Sequence, residues 1–133
     1  KINSFIYSTA NTKNTIIFYN NGLNSKINRL NKKGIKLIKL PINKNNFFDL
    51  KLILSKIYSL GCRNLLVEGG KTLTNNFLKD KLFNQFFLFK SGTNLGRNGK
   101  LNVATQLREL NIKYKTKCKL NSFTKNDMIY LYS

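Results

Sequence analysis

The chain has 133 residues, long enough for one domain with a single core and too short for two ordinary ones. It carries 24 Lys and Arg against five Asp and Glu, a formal charge of +19, and no His. The lack of His excludes His-dependent acid–base catalysis, His-based triads and most zinc sites, and no run of 18 apolar residues offers a membrane span.

Twenty of the basic residues are Lys, and the chain also holds 21 Asn and 12 Ile. These three residue types share AT-rich codons, so base composition explains much of the charge. A field of this size still attracts polyanions and phosphorylated small molecules over a Debye length of about 8–10 Å. Cys62 and Cys118 form no C-x-x-C pair, and two thiols do not make a disulfide scaffold. A reducing, cytoplasmic setting is the default expectation. The chain opens on Lys1 with strand-like residues close behind, which is the pattern expected for part of a longer product.

Thr15–Tyr19 (TIIFY) is a β-rich run that ends at the turn signal Asn20-Asn21-Gly22. Residues 23–33 place Leu23, Ile27 and Leu30 at helical spacing, and Gly34 closes that helix. Ile35–Leu40 is a second strand, stopped by Pro41. Residues 49–60 form the clearest helix. Leu50, Ile53, Leu54 and Ile57 share a stripe, Asp49 is placed to cap the N-terminus, Phe48 and Ile53 have the spacing of a hydrophobic staple, and Gly61 suits the C′ position.

Asn64-Leu65-Leu66-Val67 shows no alternation, as in a strand buried on both faces, and a helix over about 71–82 turns Leu73, Phe77 and Leu78 inward. Phe86–Phe89 is another continuous apolar strand. Strand, helix and strand thus occur twice in succession, which predicts parallel α/β structure. From Ile112 to Leu120 apolar or small residues alternate strictly with Lys113, Lys115, Lys117 and Lys119. That is the pattern of a strand with one wet face, followed by a turn at 124–127 and a hairpin partner at Met128–Tyr132.

The segment Glu68-Gly69-Gly70-Lys71-Thr72 falls where a strand would run into a helix N-terminus, the place where open α/β sheets bind ligands. Unpaired N–H groups of a first helical turn attract phosphate, and glycine lets it approach the backbone. A tight turn that needs glycine accounts for these residues about as well, and neither G-x-x-x-x-G-K-[ST] nor G-x-G-x-x-G is present. The four-lysine stripe reads as the solvated face of an edge hairpin in preference to a nucleic-acid ribbon, because the lysine face has no interleaved aromatic residue and no Arg to read base edges. Ser91–Gly99 is a polar, Gly-rich loop that suits function and ordinary connection equally. Cys62 and Cys118 read as core residues.

The order of these elements resembles the reductase domain of the bacterial bifunctional riboflavin-biosynthesis deaminase/reductase, a dihydrofolate-reductase-like fold. The residues that carry the resemblance are GCRNLLVEGGKTL at 61–73, LFNQFFLF at 82–89, the Leu95-Gly96 pair and the closing NDMIYL. It extends from about Thr15 to Tyr132 and is strongest over 61–96. It implies a three-layer αβα fold over residues 1–133, mainly parallel with an antiparallel C-terminal hairpin. It also implies NADPH-dependent reduction of the ribosyl side chain of a phosphorylated aminopyrimidine, 5-amino-6-(5-phosphoribosylamino)uracil.

By the same resemblance, Glu68 contacts the substrate, and Gly70, Lys71, Thr72, Leu73, Thr74, Asn75 and Asn76 line the turn that holds the NADPH phosphates. A deaminase domain would lie upstream, and the opening strands of the reductase domain would lie outside these residues. This chain has Ser91-Gly92 where the family usually has a Pro. A homodimer through the hairpin or the sheet edge beside it is expected from Tyr114, Tyr130 and Tyr132, which are large amphipathic residues. The alternative is a basic nucleic-acid-binding module.

Overall fold

The computed structural model describes residues 4–10, 15–93, 96, 104–114, 117–120 and 126–133. They form two compact units, residues 1–64 and 65–133.

The first unit opens with the short helix α1 (Phe5–Ser8), whose N-cap Ser4 accepts a hydrogen bond from Tyr7 N at 3.3 Å. Strands β1 (Ile16–Tyr19) and β2 (Lys36–Lys39) pair in parallel, with Ile16 opposite Lys36 and Tyr19 opposite Lys39. Helix α2 (Asn24–Lys32) connects them, as the sequence predicts. It ends at Gly34, whose φ of 81° admits the paired bonds Gly34 N to Asn31 O (2.9 Å) and Ile35 N to Leu30 O (3.2 Å).

Helix α3 (Leu50–Ser59) repeats this design. Asp49 Oδ1 accepts from Lys51 N at 2.8 Å and from Leu52 N at 3.4 Å, so a carboxylate satisfies two orphan donors at the positive end of the helix. Gly61, at φ 91°, closes the other end by donating to Tyr58 O at 2.9 Å. The predicted stripe of Leu50, Ile53, Leu54 and Ile57 is half-buried, while Lys51 and Leu52 face out.

The second unit begins with an irregular segment. Leu65–Val67 form no strand and are exposed, Leu66 to 79%, in contrast to the expected doubly buried strand. A continuous apolar run carries no periodicity of its own, and it becomes a strand only where a neighbouring edge supplies hydrogen bonds. Helix α4 (Lys71–Lys79) follows and buries Phe77 and Leu78.

The predicted strand at 86–89 is present as β3 (Phe86–Lys90), but its pairing is antiparallel. It joins β4 (Lys117–Leu120) and β5 (Met128–Tyr132) in a three-stranded sheet of order β3-β5-β4. Among the described residues parallel pairing is therefore confined to β1 and β2, and the mainly parallel sheet expected from the sequence is corrected to one parallel pair and one antiparallel sheet. The C-terminal hairpin of β4 and β5 is formed as predicted.

Residues Ile112 and Lys113 are corrected from strand to helix. They close α5 (Ala104–Lys113), an element the sequence reading does not contain. Its apolar residues Leu107, Leu110 and Ile112 keep to no clean stripe, and Ile112 is 72% exposed. The unit packs around Leu78, Leu110 and Tyr132, with Phe83, Phe86, Leu88, Tyr114 and Tyr130 against them. Phe83 lies 4.9 Å from Tyr114 and 5.6 Å from Phe86, ring centre to ring centre. Each such pair adds about 0.5–1.5 kcal/mol beyond its buried area. Among the described residues no helix is long and apolar enough to cross a membrane.

Candidate cofactor and substrate site

The segment 68–76 runs from irregular backbone into the start of α4. Gly70 is the N-cap, with φ −75° and ψ 179°, so the backbone here is ordinary extended chain and does not require glycine on conformational grounds. The two glycines differ in what surrounds them. A Cβ on Gly69 would lie 2.6 Å from Leu73 Cδ2 and 3.0 Å from Leu73 Cβ, so Gly69 is fixed by packing on the helix it precedes. A Cβ on Gly70 would meet nothing within 4 Å. The protein itself leaves that position open.

No side chain caps the start of α4, and its first turn contains no carboxylate. The N–H groups of Lys71, Thr72 and Leu73 therefore stand at the positive end of a nine-residue helix without the acceptor that Asp49 provides for α3. Lys71 and Thr72 are exposed beside them, a cation and a hydroxyl in reach of whatever approaches that end. This combination suits an anion.

The later residues of the predicted turn are placed differently. Thr74 N is already bonded to Gly70 O at 3.1 Å, so Thr74, Asn75 and Asn76 sit within the helix and are left with only their side chains to offer a ligand. These residues and Leu73 are half-buried. Asn75 Oδ1 is buried with no hydrogen-bond partner, an unmet acceptor one turn into the helix. Glu68 lies exposed at the end of the irregular segment that precedes Gly69. Glu68, the two glycines and the helix start stand in the succession read from the sequence, although the strand expected to deliver them is absent.

Other predicted features dissolve or change role. The four-lysine stripe does not exist as one strand face: Lys113 is helical and pairs with Glu109 at 3.0 Å across one turn, Lys119 lies on β4, and Lys115 is outside the described residues. In the Ser91–Gly99 loop, residues 91–93 and 96 are described. Gly92 serves structure: its N–H donates to Asp127 Oδ1 at 3.2 Å, and a Cβ there would collide with Asn126 O. Cys118 is exposed and is corrected from a core position, whereas Cys62 is half-buried with its thiol donating to Asn64 O at 3.1 Å. Tyr132, expected at an interface, is buried in the unit's own core.

The chain is an α/β protein whose glycine-marked junction leads into an uncapped helix start, the kind of end at which N–H donors can meet an anion. More particularly, the sequence profile of the RibD C-terminal domain matches residues 6–129, and this chain belongs to that family. The riboflavin biosynthesis protein RibD of Aquifex aeolicus (strain VF5) is 35% identical over 66 residues, which are 50% of this chain and 17% of that relative. The chain thus matches a small part of that relative's length.

Proposed function

We propose that this chain contributes to a reductase of riboflavin biosynthesis, one that reduces the ribosyl side chain of 5-amino-6-(5-phosphoribosylamino)uracil to its ribityl form with NADPH. Family membership supports the reductase class. The observation that carries the cofactor assignment is the start of α4, where an open Gly70 and three uncapped N–H groups stand beside Lys71.

These residues fit a pyrophosphate. The N–H groups of Lys71, Thr72 and Leu73 would donate to its oxygens, Lys71 would balance its charge, and Gly70 would leave room for it against the backbone. Asn75 has the one buried side-chain acceptor still unmet among the described residues, which suits a ligand hydroxyl or amide. NADPH, when bound, supplies the hydride. Glu68 would accept hydrogen bonds from the aminopyrimidine or its sugar, and so fix the substrate's orientation.

Three further assignments belong to this proposal. The complete domain is three-layered, and support lies in the second sheet. Phe87 and Phe89 stand opposite Leu131 and Ile129, which stand opposite Cys118 and Leu120, so the face turned away from Tyr132 is apolar across all three strands. With Phe86, Leu88, Tyr130 and Tyr132 on the opposite face, β3 and β5 carry apolar or aromatic residues on both sides, as strands covered on both faces do. The functional form is a homodimer in the cytoplasm, and a deaminase domain precedes this region in the full-length protein.

The test is a titration of NADPH into this chain, followed by nicotinamide fluorescence, with inorganic pyrophosphate as competitor. Saturable binding that pyrophosphate displaces is expected. Binding that pyrophosphate leaves untouched would remove the start of α4 from the site.

A further inference from the structure

The first unit contains a cavity of about 730 Å³ that involves none of residues 68–76. Its floor is aliphatic: Ile17 and Leu37 from the two strands, Ile27 and Leu30 from α2, and Ile35, which is 3% exposed. Tyr7 of α1 and Tyr19 at the end of β1 supply aromatic walls. Lys26 and Arg29 add two positive charges, and no carboxylate lines the cavity. Asp49 is the only acidic residue in residues 1–64, and it is engaged at the start of α3.

Two details give the cavity polarity. Gly22, Ser25 and Lys26 line it where α2 begins, and no side chain caps that helix, so the N–H groups of Asn24 and Ser25 remain as donors. The Tyr7 ring is flanked by cations, with Arg29 Cζ 6.0 Å and Lys33 Nζ 5.7 Å from its centre. A guanidinium held against an aromatic wall stays available to an anion lying on the same ring. The volume falls in the range of about 300–1,000 Å³ typical of sites for small organic ligands, which combine an apolar lining with a few placed polar groups.

We propose that this cavity is a binding site for a small aromatic anion, with the ring against Tyr7, Tyr19 and the aliphatic floor, and a phosphate, sulfonate or carboxylate at Lys26, Arg29 and the start of α2. The anion's charge is matched by two cations and a helix end, and its ring displaces water from an apolar surface. A neutral ligand of the same shape gains only the second term, and a cation is repelled.

A matched pair of dyes tests this. 1-Anilinonaphthalene-8-sulfonate and uncharged N-phenyl-1-naphthylamine share one aromatic body and differ by the sulfonate. Titrated into this chain at low salt, the sulfonate should bind one site about fivefold or more tighter than the neutral dye, the scale of partly exposed ion pairs. In ¹⁵N-correlated spectra the shifted amides should cluster at Ile17, Gly22, Ser25 and Ile27. Lys26→Gln with Arg29→Gln, both at exposed helix positions, should erase the preference and leave the neutral dye's affinity in place. Gly22→Leu, which adds bulk beside Ile27, should weaken both dyes. Equal affinity for the two dyes, an unchanged preference in the glutamine variant, or amide shifts outside the lining residues would each overturn the proposal.

Discussion

Tyr132 donates its phenolic hydrogen to Asn111 Oδ1 at 2.8 Å, which ties the central strand β5 to the last turn of α5. The two partners differ in setting: Tyr132 is buried to 1% exposure, while Asn111 is exposed. Removing the hydroxyl therefore leaves behind an acceptor that water can reach. Tyr132→Phe should cost about 1 kcal/mol, the net worth of one hydrogen bond. Tyr132→Ala should cost about 3–5 kcal/mol through the cavity it leaves. Urea unfolding of the two variants reads both values, and similar losses would mean that the hydroxyl dominates over the ring.

Gly69 and Gly70 should separate stability from affinity. Gly69→Ala pushes against Leu73 and should lower stability by about 1 kcal/mol as that side chain leaves its rotamer. At Gly70 an added Cβ meets nothing within 4 Å and the observed φ of −75° suits an L-residue, so the melting temperature of Gly70→Val should stay near the parent's. NADPH affinity of Gly70→Val should fall about tenfold or more, since a branched side chain occupies the space left for phosphate. A Gly70→Val protein that binds NADPH as the parent does would assign that space to nothing.

Glu68→Gln keeps the size and hydrogen-bonding reach of the side chain and loses its charge. In the full-length protein, turnover should fall while NADPH affinity holds, because the carboxylate stands ahead of the helix start. Steady-state rates alongside cofactor titration check this, and loss of NADPH binding instead would reverse the assigned roles.

Lys81 occupies the left-handed position after α4, with φ 52°, where α2 and α3 use Gly34 and Gly61. Its N–H reaches Leu78 O at 3.4 Å and Leu82 N reaches Phe77 O at 3.0 Å, so the same closing motif is completed without glycine. Lys81→Gly should stabilise the chain by about 1 kcal/mol, the strain an L-residue carries there. Chemical denaturation measures the gain, and a destabilised variant would show that the Lys81 side chain contributes more than its backbone costs.

Phe89 is 72% exposed on the outer face of β3. If that face joins two copies, Phe89→Lys should shift sedimentation from dimer to monomer while the far-ultraviolet spectrum is retained. A dimer that survives the substitution would place the interface elsewhere.

Much of this molecule can be read from its residues wherever local chemistry decides. Asp49 as a cap, Gly34 and Gly61 as helix stops, and the inward stripe of α3 depend on neighbours a few positions away, and all three are present. The succession Glu68, Gly69, Gly70, Lys71 is equally local. Leu65–Val67 and the orientation of β3 were not legible, because strand formation and direction depend on which edge is free elsewhere in the chain. Alternation also misled at Ile112–Lys113, where a helix extends two residues into a period-two pattern and the Lys113–Glu109 pair supports its last turn. No residue type announces that Gly69 is held by packing and Gly70 is not.

The sheet order β3-β5-β4 has a consequence for synthesis. The central strand follows both of its neighbours in the chain, so as the polypeptide leaves the ribosome Phe86–Phe89 and Lys117–Leu120 emerge with no partner to pair with. Until Met128–Tyr132 appear, the segment FFLF is an unpaired aromatic strand of the kind that seeds aggregation. Its protection then comes from speed of completion and from the lysine that ends it, Lys90, and nascent chains stalled before residue 128 are the ones expected to need a chaperone.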